Sequence, residues 1–573
     1  MRKMRMTRYA AGLAAGALVL AACGNGTDDG AGNDTGTGSD TDNGSEGDDA
    51  AAEVEPLTVH ANDGTSYQAN YNPYSTSALR GTTGLIYEPL VISTPMQPGQ
   101  PIPWLAESLD FNDDGTVLTV NLREGVQWSD GEAFTADDVA FTFNQLSENS
   151  ALDTAALRPA SATAVDETTA EIEFEEPRFA REGAIGNTVI VPEHIWSELD
   201  EPLEFVNDED PVGTGPFVLG QFGEQMYTLV KNEEYWAADE IEVEEIRYPA
   251  NTTETLTTRL QQGDLDWSGG FIANIEQVFV SHDPDNRGYW YPGGGAVNIT
   301  INNEREIWDD QDLREAVSLA IDRVEVSEVA MQGYVPPAHP TGLPMPAYEE
   351  VLADEYRDME LDFDPARANE ILDEAGYETG EDGVRTAPNG DRLTFDFEVP
   401  SGWPDWVDIS NVIEPMFSEI GIELSPQGVS LEQYVENRNN GNFDITLASV
   451  GMGLTPYDMY RNMLSSEYRP DEDSEDQSVS ANFGRFWSDE ADEQLQRFEN
   501  TGDDDERQEA IEEMQRFVVE ERAVIPLIPT ANWFQYNTVR WTGFPNEDNP
   551  YALGAPFQVP DNALIIRELT PNN

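Results

Sequence analysis

Apolar side chains recur along this chain with two different periods, and the switching between them gives a first picture of the fold. Ala170, Ile172 and Phe174 stand two apart with polar residues between them, after the turn-forming Asp166-Glu167. That spacing sends successive side chains to opposite faces and predicts a half-buried strand. Thr116 to Leu122 predicts another strand, entered from the turn chemistry of Asn112-Asp113-Asp114-Gly115. Elsewhere the period is helical. Leu313, Ala316, Val317, Ala320 and Ile321 fall on one face of a helix over 313–321. A second helix is expected to take Asp364 as cap and Pro365 as first residue. It buries Ala368, Ile371, Leu372 and Ala375 and stops at Gly376. A third follows Asp503, with Glu506 completing a capping box and Ile511, Met514, Phe517 and Val518 facing inward. Strand and helix signals interleave from about Pro56 to the end, so the body is expected to be mixed α/β.

Ahead of Pro56 the pattern changes. Arg2, Lys3, Arg5 and Arg8 precede an apolar run from Tyr9 to Ala22. The run is shorter than the ~20 residues of a permanent membrane helix but suits the core of a signal peptide. It ends in Leu20-Ala21-Ala22-Cys23, which resembles the bacterial lipobox. That resemblance implies cleavage before Cys23 and a diacylglyceryl anchor on it. From Gly24 to about Glu55 there is almost nothing to bury, so the segment cannot offset its ordering entropy and reads as a disordered tether. As a coil of ~30 residues it reaches roughly 30 Å. No internal repeat and no later transmembrane segment is evident.

Composition narrows the classes of function. The 573 residues, 39% of them hydrophobic, are enough for two or three domains. The 111 acidic residues outweigh 30 basic ones for a formal charge of -81, which leaves no basic footprint for nucleic acid. Lys3 and Lys231 are the only lysines. A surface adapted to high salt explains this balance; an acidic extracellular protein from an arginine-rich proteome is the alternative. Cys23 is the single cysteine, so neither an internal disulfide nor a thiolate metal cluster can form. His60, His194, His282 and His339 make no close pair or HExxH motif, and no metal or other cofactor is expected. With so many acids, carboxylate pairs carry no signal for a glycosidase. No GxSxG is present, and Gly293-Gly294-Gly295 lacks the context of a phosphate loop and reads as a hinge or turn run. The chain is not expected to be an enzyme.

Motifs in order along the body carry a family resemblance. Leu122-Arg123-Glu124-Gly125-Val126-Gln127-Trp128-Ser129-Asp130-Gly131, continuing through Phe134-Thr135-Ala136-Asp137-Asp138-Val139, resembles the signature of the family 5 extracellular solute-binding proteins. Its Trp128 and Phe134 read as core anchors and Thr135 as a helix cap, with Asp138 at the third position. Gly213-Thr214-Gly215-Pro216-Phe217, Asn232 to Trp236, Leu260 to Asp266, Arg314-Glu315-Ala316 with Ala320 to Arg323, Ala375-Gly376-Tyr377, Gly421-Ile422, Phe443-Asp444 and Ile525-Pro526-Leu527 match later elements of that family. The resemblance implies a type II periplasmic-binding-protein-like α/β fold, with two lobes that close on ligand and an extra domain inserted in the first. The expected parts are a signal peptide (1–22), a lipidated tether (23–55), lobe one (56–88, 210–292 and 525–573), the inserted domain (89–209) and lobe two (293–524). It further implies a monomer anchored outside the cytoplasmic membrane that hands a small soluble ligand to the permease subunits of an ABC importer.

The ligand is less directly written. Peptide binders of this family carry a Trp-x-x-Asp-x-x-Asp-Pro-like stretch after the Phe-Asp element, in which one aspartate holds the peptide amine. Here Val450 stands at the tryptophan, and Gly453 and Thr455 replace the aspartates. A buried ammonium without a carboxylate costs several kcal/mol, which argues against a peptide amine, although another carboxylate could substitute. Aromatic residues lean towards sugar, whose C–H faces stack on flat rings while hydroxyls bond to amides and carboxylates. Trp267, Trp403, Trp406, Trp533, Tyr536, Trp541 and Tyr551 lie in segments expected to line the cleft, several resembling the oligosaccharide-binding branch, and Asn532 flanks Trp533. Asn70, Asn72 and Tyr74 are further candidates, or else parts of a structural turn. A β-linked oligosaccharide is the first expectation; a peptide, and a nickel chelate held without protein ligands, stay open.

Overall fold

The computed structural model describes residues 55–60, 66–97, 99–471, 474 and 477–572. The signal peptide, Cys23 and all but the last residue of the tether lie outside them. The expected elements form where the patterning puts them. Val117–Leu122 and Thr169–Phe174 pair antiparallel, with Val120 opposite Ala170. Ala106–Phe111 and Pro159–Asp166 complete a four-stranded antiparallel sheet with one strand on either side. The helix Ala136–Glu148 packs on that sheet, and its capping box is complete, with Thr135 and Asp138 each bonded to the other's backbone. Asp138 also accepts the indole N–H of buried Trp128 at 3.2 Å, so the family signature serves as a packing anchor here.

The helix Gln311–Leu319 buries Leu313, Ala316 and Val317. Pro365–Glu374 has the Asp364 cap and buries Ala368, Ile371 and Leu372, while Ala375 is half-buried. Asp504–Val519 differs in one detail. Asp503 accepts from the backbone N–H groups of Asp505 and Glu506, but its own N–H goes to Thr501 Oγ1 at 3.1 Å. The expected capping box is therefore half formed, because Thr501 reaches the donor that Glu506 was expected to satisfy.

Two further sheets organise the body. Leu57–Thr58, Glu245–Pro249, Met226–Lys231 and Phe217–Gly223 form one, joined by a parallel pairing at Leu57 and antiparallel pairings after it. The other runs in the order Glu423–Val429, Thr394–Pro400, Ile445–Gly451, Gly293–Ile301 and Ile525–Ala531. Its first three strands are parallel and the last two pairings antiparallel. The expected boundary at residue 525 thus falls at the start of a strand whose partner, Gly293–Ile301, lies on the other side of that boundary. The strand belongs with the five-stranded sheet of the residues expected to form lobe two, and the chain returns to the first core only near Phe534. One continuous core joins residues 57–248 to 534–569, and a separate one lies around the five-stranded sheet.

Candidate functional site

The chain crosses between these two cores twice, and the crossings lie side by side. Arg287–Tyr289 leads into Gly293–Ile301, and Ile525–Ala531 leads back into Gln535–Asn537. Trp290 N–H donates to Phe534 O at 3.0 Å and Asn532 N–H to Pro292 O at 2.9 Å. Gly293–Gly295, expected as a hinge or turn, is the start of an extended strand. Close approach explains the glycines: a Cβ on Gly294 would lie 2.5 Å from Asn532 Nδ2, and one on Gly295 2.1 Å from Val450 O.

Against these crossings lies a cavity of about 630 Å³, within the size range of small-molecule sites. Its walls come from both cores, and four of the expected residues line it: Trp403, Trp406, Asn532 and Trp533. Trp403 lies in the loop after Gly402, in extended backbone, and is the N-cap of the helix Pro404–Glu419. It is half-buried, and its ring meets Trp406 edge-on at 4.8 Å. Trp406 is the more enclosed, held between Trp403 and Tyr434. Trp533, also half-buried, sits edge-on to Phe271 at 5.1 Å and to Tyr291 at 4.7 Å. Asn532 is buried, and its Oδ1 accepts from Gln558 Nε2 at 2.6 Å.

The other expected residues lie elsewhere. Trp267 is buried, with its indole N–H donating to Gly554 O at 2.6 Å. Trp541 is wholly enclosed in the first core. Tyr536 and Tyr551 pack against the same core, Tyr536 stacked on Phe544 at 5.7 Å and the Tyr551 hydroxyl donating to Gly543 O at 2.7 Å. Each satisfies its polar tip or fills volume inside the first core, which removes it from the cavity wall. Asn72 is fully buried in a turn: its Nδ2 donates to Pro202 O and its Oδ1 accepts Tyr74 N–H. Asn70 donates to Ser75 and Ser77 in the same turn. Tyr74 packs on Trp196 and borders a second cavity of about 530 Å³. That cavity also meets Gly453 and Asp458. A Cβ at Gly453 would come within 2.5 Å of Asp458 Cβ, so Asp458 fills the space where a side chain at 453 would begin. Its carboxylate is already committed to Arg181 at 2.9 Å and to Leu454 and Thr455.

The first cavity contains groups that sequence reasoning missed. Phe271 and Phe557 add aromatic wall, and His60 and Arg80 enter from the first core. The Arg80 guanidinium stands 5.8 Å from the Phe557 ring centroid, and burial lowers its pKa. Thr530, another lining residue, has a buried Oγ1 with no hydrogen-bond partner. Asp405, in the first turn of Pro404–Glu419, is buried at the wall. Burial pushes its carboxyl up to about 6, against the opposing pull of backbone N–H groups and the Trp533 side chain. Nothing marked Asp405 in advance, since it is one of 111 acids; the Pro-Asp-Trp run is at most a helix start. Among the described residues, no group of His, Cys, Asp and Glu is arranged to hold a metal ion, and no helix is long and apolar enough to cross a membrane.

Known proteins put this geometry in context. Residues 100–471 match the bacterial extracellular solute-binding proteins, family 5. Protein XP55 of Streptomyces lividans is 31% identical over 375 residues, 64% of this chain and 66% of that protein. The oligopeptide-binding protein AppA of Bacillus subtilis is 24% identical over 388 residues, 64% of this chain and 68% of AppA. The chain thus spans about two thirds of the length of these relatives. Among solved structures, the periplasmic oligopeptide-binding protein of an ABC transporter from Thermotoga maritima, with mannohexaose bound, superposes with a TM-score of 0.80. It is 27% identical, and the match covers 90% of this chain and 98% of that one. AppA bound to a nonapeptide superposes with a TM-score of 0.71 at 19% identity, covering 91% of this chain and 100% of that one, a likeness of fold alone. The fold is periplasmic-binding-protein-like of type II, and the matched family is one of extracellular solute-binding proteins.

Proposed function

We propose, from the premise that this chain belongs to the bacterial extracellular solute-binding proteins of family 5, that it captures a soluble oligosaccharide between its lobes and delivers it to an ABC importer. The observation that carries the reading is the cavity wall. Trp403 and Trp533 are both half-buried, and Phe271 and Phe557 extend the aromatic surface beside the polar groups of Asp405, Asn532 and Thr530. Flat rings interleaved with acceptors and donors suit the alternating C–H and hydroxyl faces of a sugar. The mannohexaose held by the Thermotoga maritima relative supports the same class. Closure is a hinge motion about the paired crossings, and the permease recognises the closed form. A signal peptide, a lipid anchor on Cys23 and a tether to residue 55 keep a monomeric body at the outer face of the membrane.

An oligopeptide is the second reading, and a specific observation favours it: Asp405 offers the cavity a buried carboxylate on which no cation acts among the described residues. A thermal-shift panel of manno-, cello-, xylo- and malto-oligosaccharides beside di- to pentapeptides separates the two, because a ligand that binds only the native state raises the melting point. Shifts confined to glycans support the proposal; shifts confined to peptides overturn it in favour of the second reading.

A further inference from the structure

Two carboxylates that line the cavities, Asp458 half-buried and Asp405 buried, are in opposite states. Asp458, at the second cavity, spends its oxygens on Arg181, on the backbone N–H groups of Leu454 and Thr455 and on the Thr455 hydroxyl. Asp405, at the first, is buried on the cavity wall, and the only charged group acting on it among the described residues is Asp408. An ionised carboxylate has about four acceptor sites. The Asp405 carboxylate lines the cavity, so acceptor capacity is available there. Keeping a carboxylate there, with burial opposing its charge, is unfavourable unless something else uses it. A helix-starting role alone does not require it to border the ligand space, because Pro404 already begins the helix.

We propose that Asp405 is a specificity-determining residue of the cavity, its carboxylate accepting a hydrogen bond from a hydroxyl of a sugar ring packed against Trp533 and Trp403. The assignment rests on the oligosaccharide reading. The charged groups around it are Asp408 on its own helix and His60 and Arg80 across the cavity. A hydroxyl donor binds the ionised form, so affinity rises with pH through the range where Asp405 loses its proton and is level above it.

The test is calorimetric titration of wild type, Asp405→Asn and Asp405→Ala with mannohexaose, cellohexaose and xylohexaose, from pH 5 to pH 8, each variant's melting point being measured alongside. At pH 7.5 both variants are expected to bind the preferred glycan about 10- to 100-fold more weakly than wild type, with melting points unchanged or higher. Their affinities are expected to lose the rise through pH 6 that wild type shows. Wild-type glycan affinity retained within about twofold in Asp405→Asn overturns this inference and leaves the sugar reading intact. A pH rise that persists in Asp405→Asn shows that Asp405 is not its source and overturns the inference as well. Absence of glycan binding by wild type, with peptides binding instead, brings down the sugar reading itself.

Discussion

Two Asp-Trp pairs in this molecule, Asp266-Trp267 and Asp405-Trp406, are made of the same residues and end in opposite circumstances. Asp266 is gripped by Arg540 through two bonds of 2.8 and 2.9 Å and takes Thr58 N–H at 2.8 Å. Trp267 beside it is sealed into the core with its indole N–H satisfied. That pair stitches the first described strand and the C-terminal segment onto the middle of the chain. Asp405 has no such cation, and its neighbours Trp403 and Trp406 border open space. What separates the cavity wall from the scaffold is therefore not residue type but whether the polar group's bonding is closed within the protein.

The sharpest way to break this comparison is to open the closed pair. Arg540→Met leaves the buried Asp266 carboxylate without its cation and is expected to cost about 3–5 kcal/mol of stability, read as a lower denaturant midpoint. Trp267→Ala is expected to cost a similar ~3–5 kcal/mol by leaving a cavity in the first core. In both variants, molecules still folded should bind ligand normally; a selective loss of affinity would place Trp267 in the site after all.

Next comes pH. Burial raises Glu88 to about 7 and Asp405 and Asp561 to about 6. Between about pH 4 and pH 7 the folded protein holds protons that the unfolded chain has released, so stability falls as pH rises across that window, each group contributing on the order of 2 kcal/mol. Asp405→Asn removes only its own share and should flatten the fall around pH 6, whereas a slope identical to wild type would mean that Asp405 is not buried as described. Smaller again are Trp403→Ala and Trp533→Ala, expected to weaken ligand about 10- to 30-fold, with little change in melting point beside Trp267→Ala. Last is salt. If the acidic surface is a saline adaptation, the melting temperature rises from low to molar salt as repulsion is screened; a flat or falling response contradicts it.

The fold was readable because burial follows period. Ala170, Ile172 and Phe174 need one face of a strand, and Leu313, Ala316 and Val317 one face of a helix, wherever the rest of the chain lies. Capping was less secure, since Thr501 competes for the donor that Glu506 was expected to satisfy, a choice decided by loop geometry. The site was legible only as an excess of aromatics. Nothing local distinguishes Trp533 from Trp541, which are eight residues apart; the chain between them leaves the crossing and enters the core. Asp405 was hidden for a different reason: in so acidic a chain, what sets it apart is its place on a cavity wall without a cation among the described residues, and that is visible only in three dimensions.

The most direct measurement is a crystal structure of the protein grown with the glycan that gives the largest thermal shift. The account predicts a sugar ring packed on Trp533 between the two lobes, with one of its hydroxyls within hydrogen-bonding distance of Asp405. A ligand lodged instead in the second cavity, beside Tyr74 and Arg181, would contradict it.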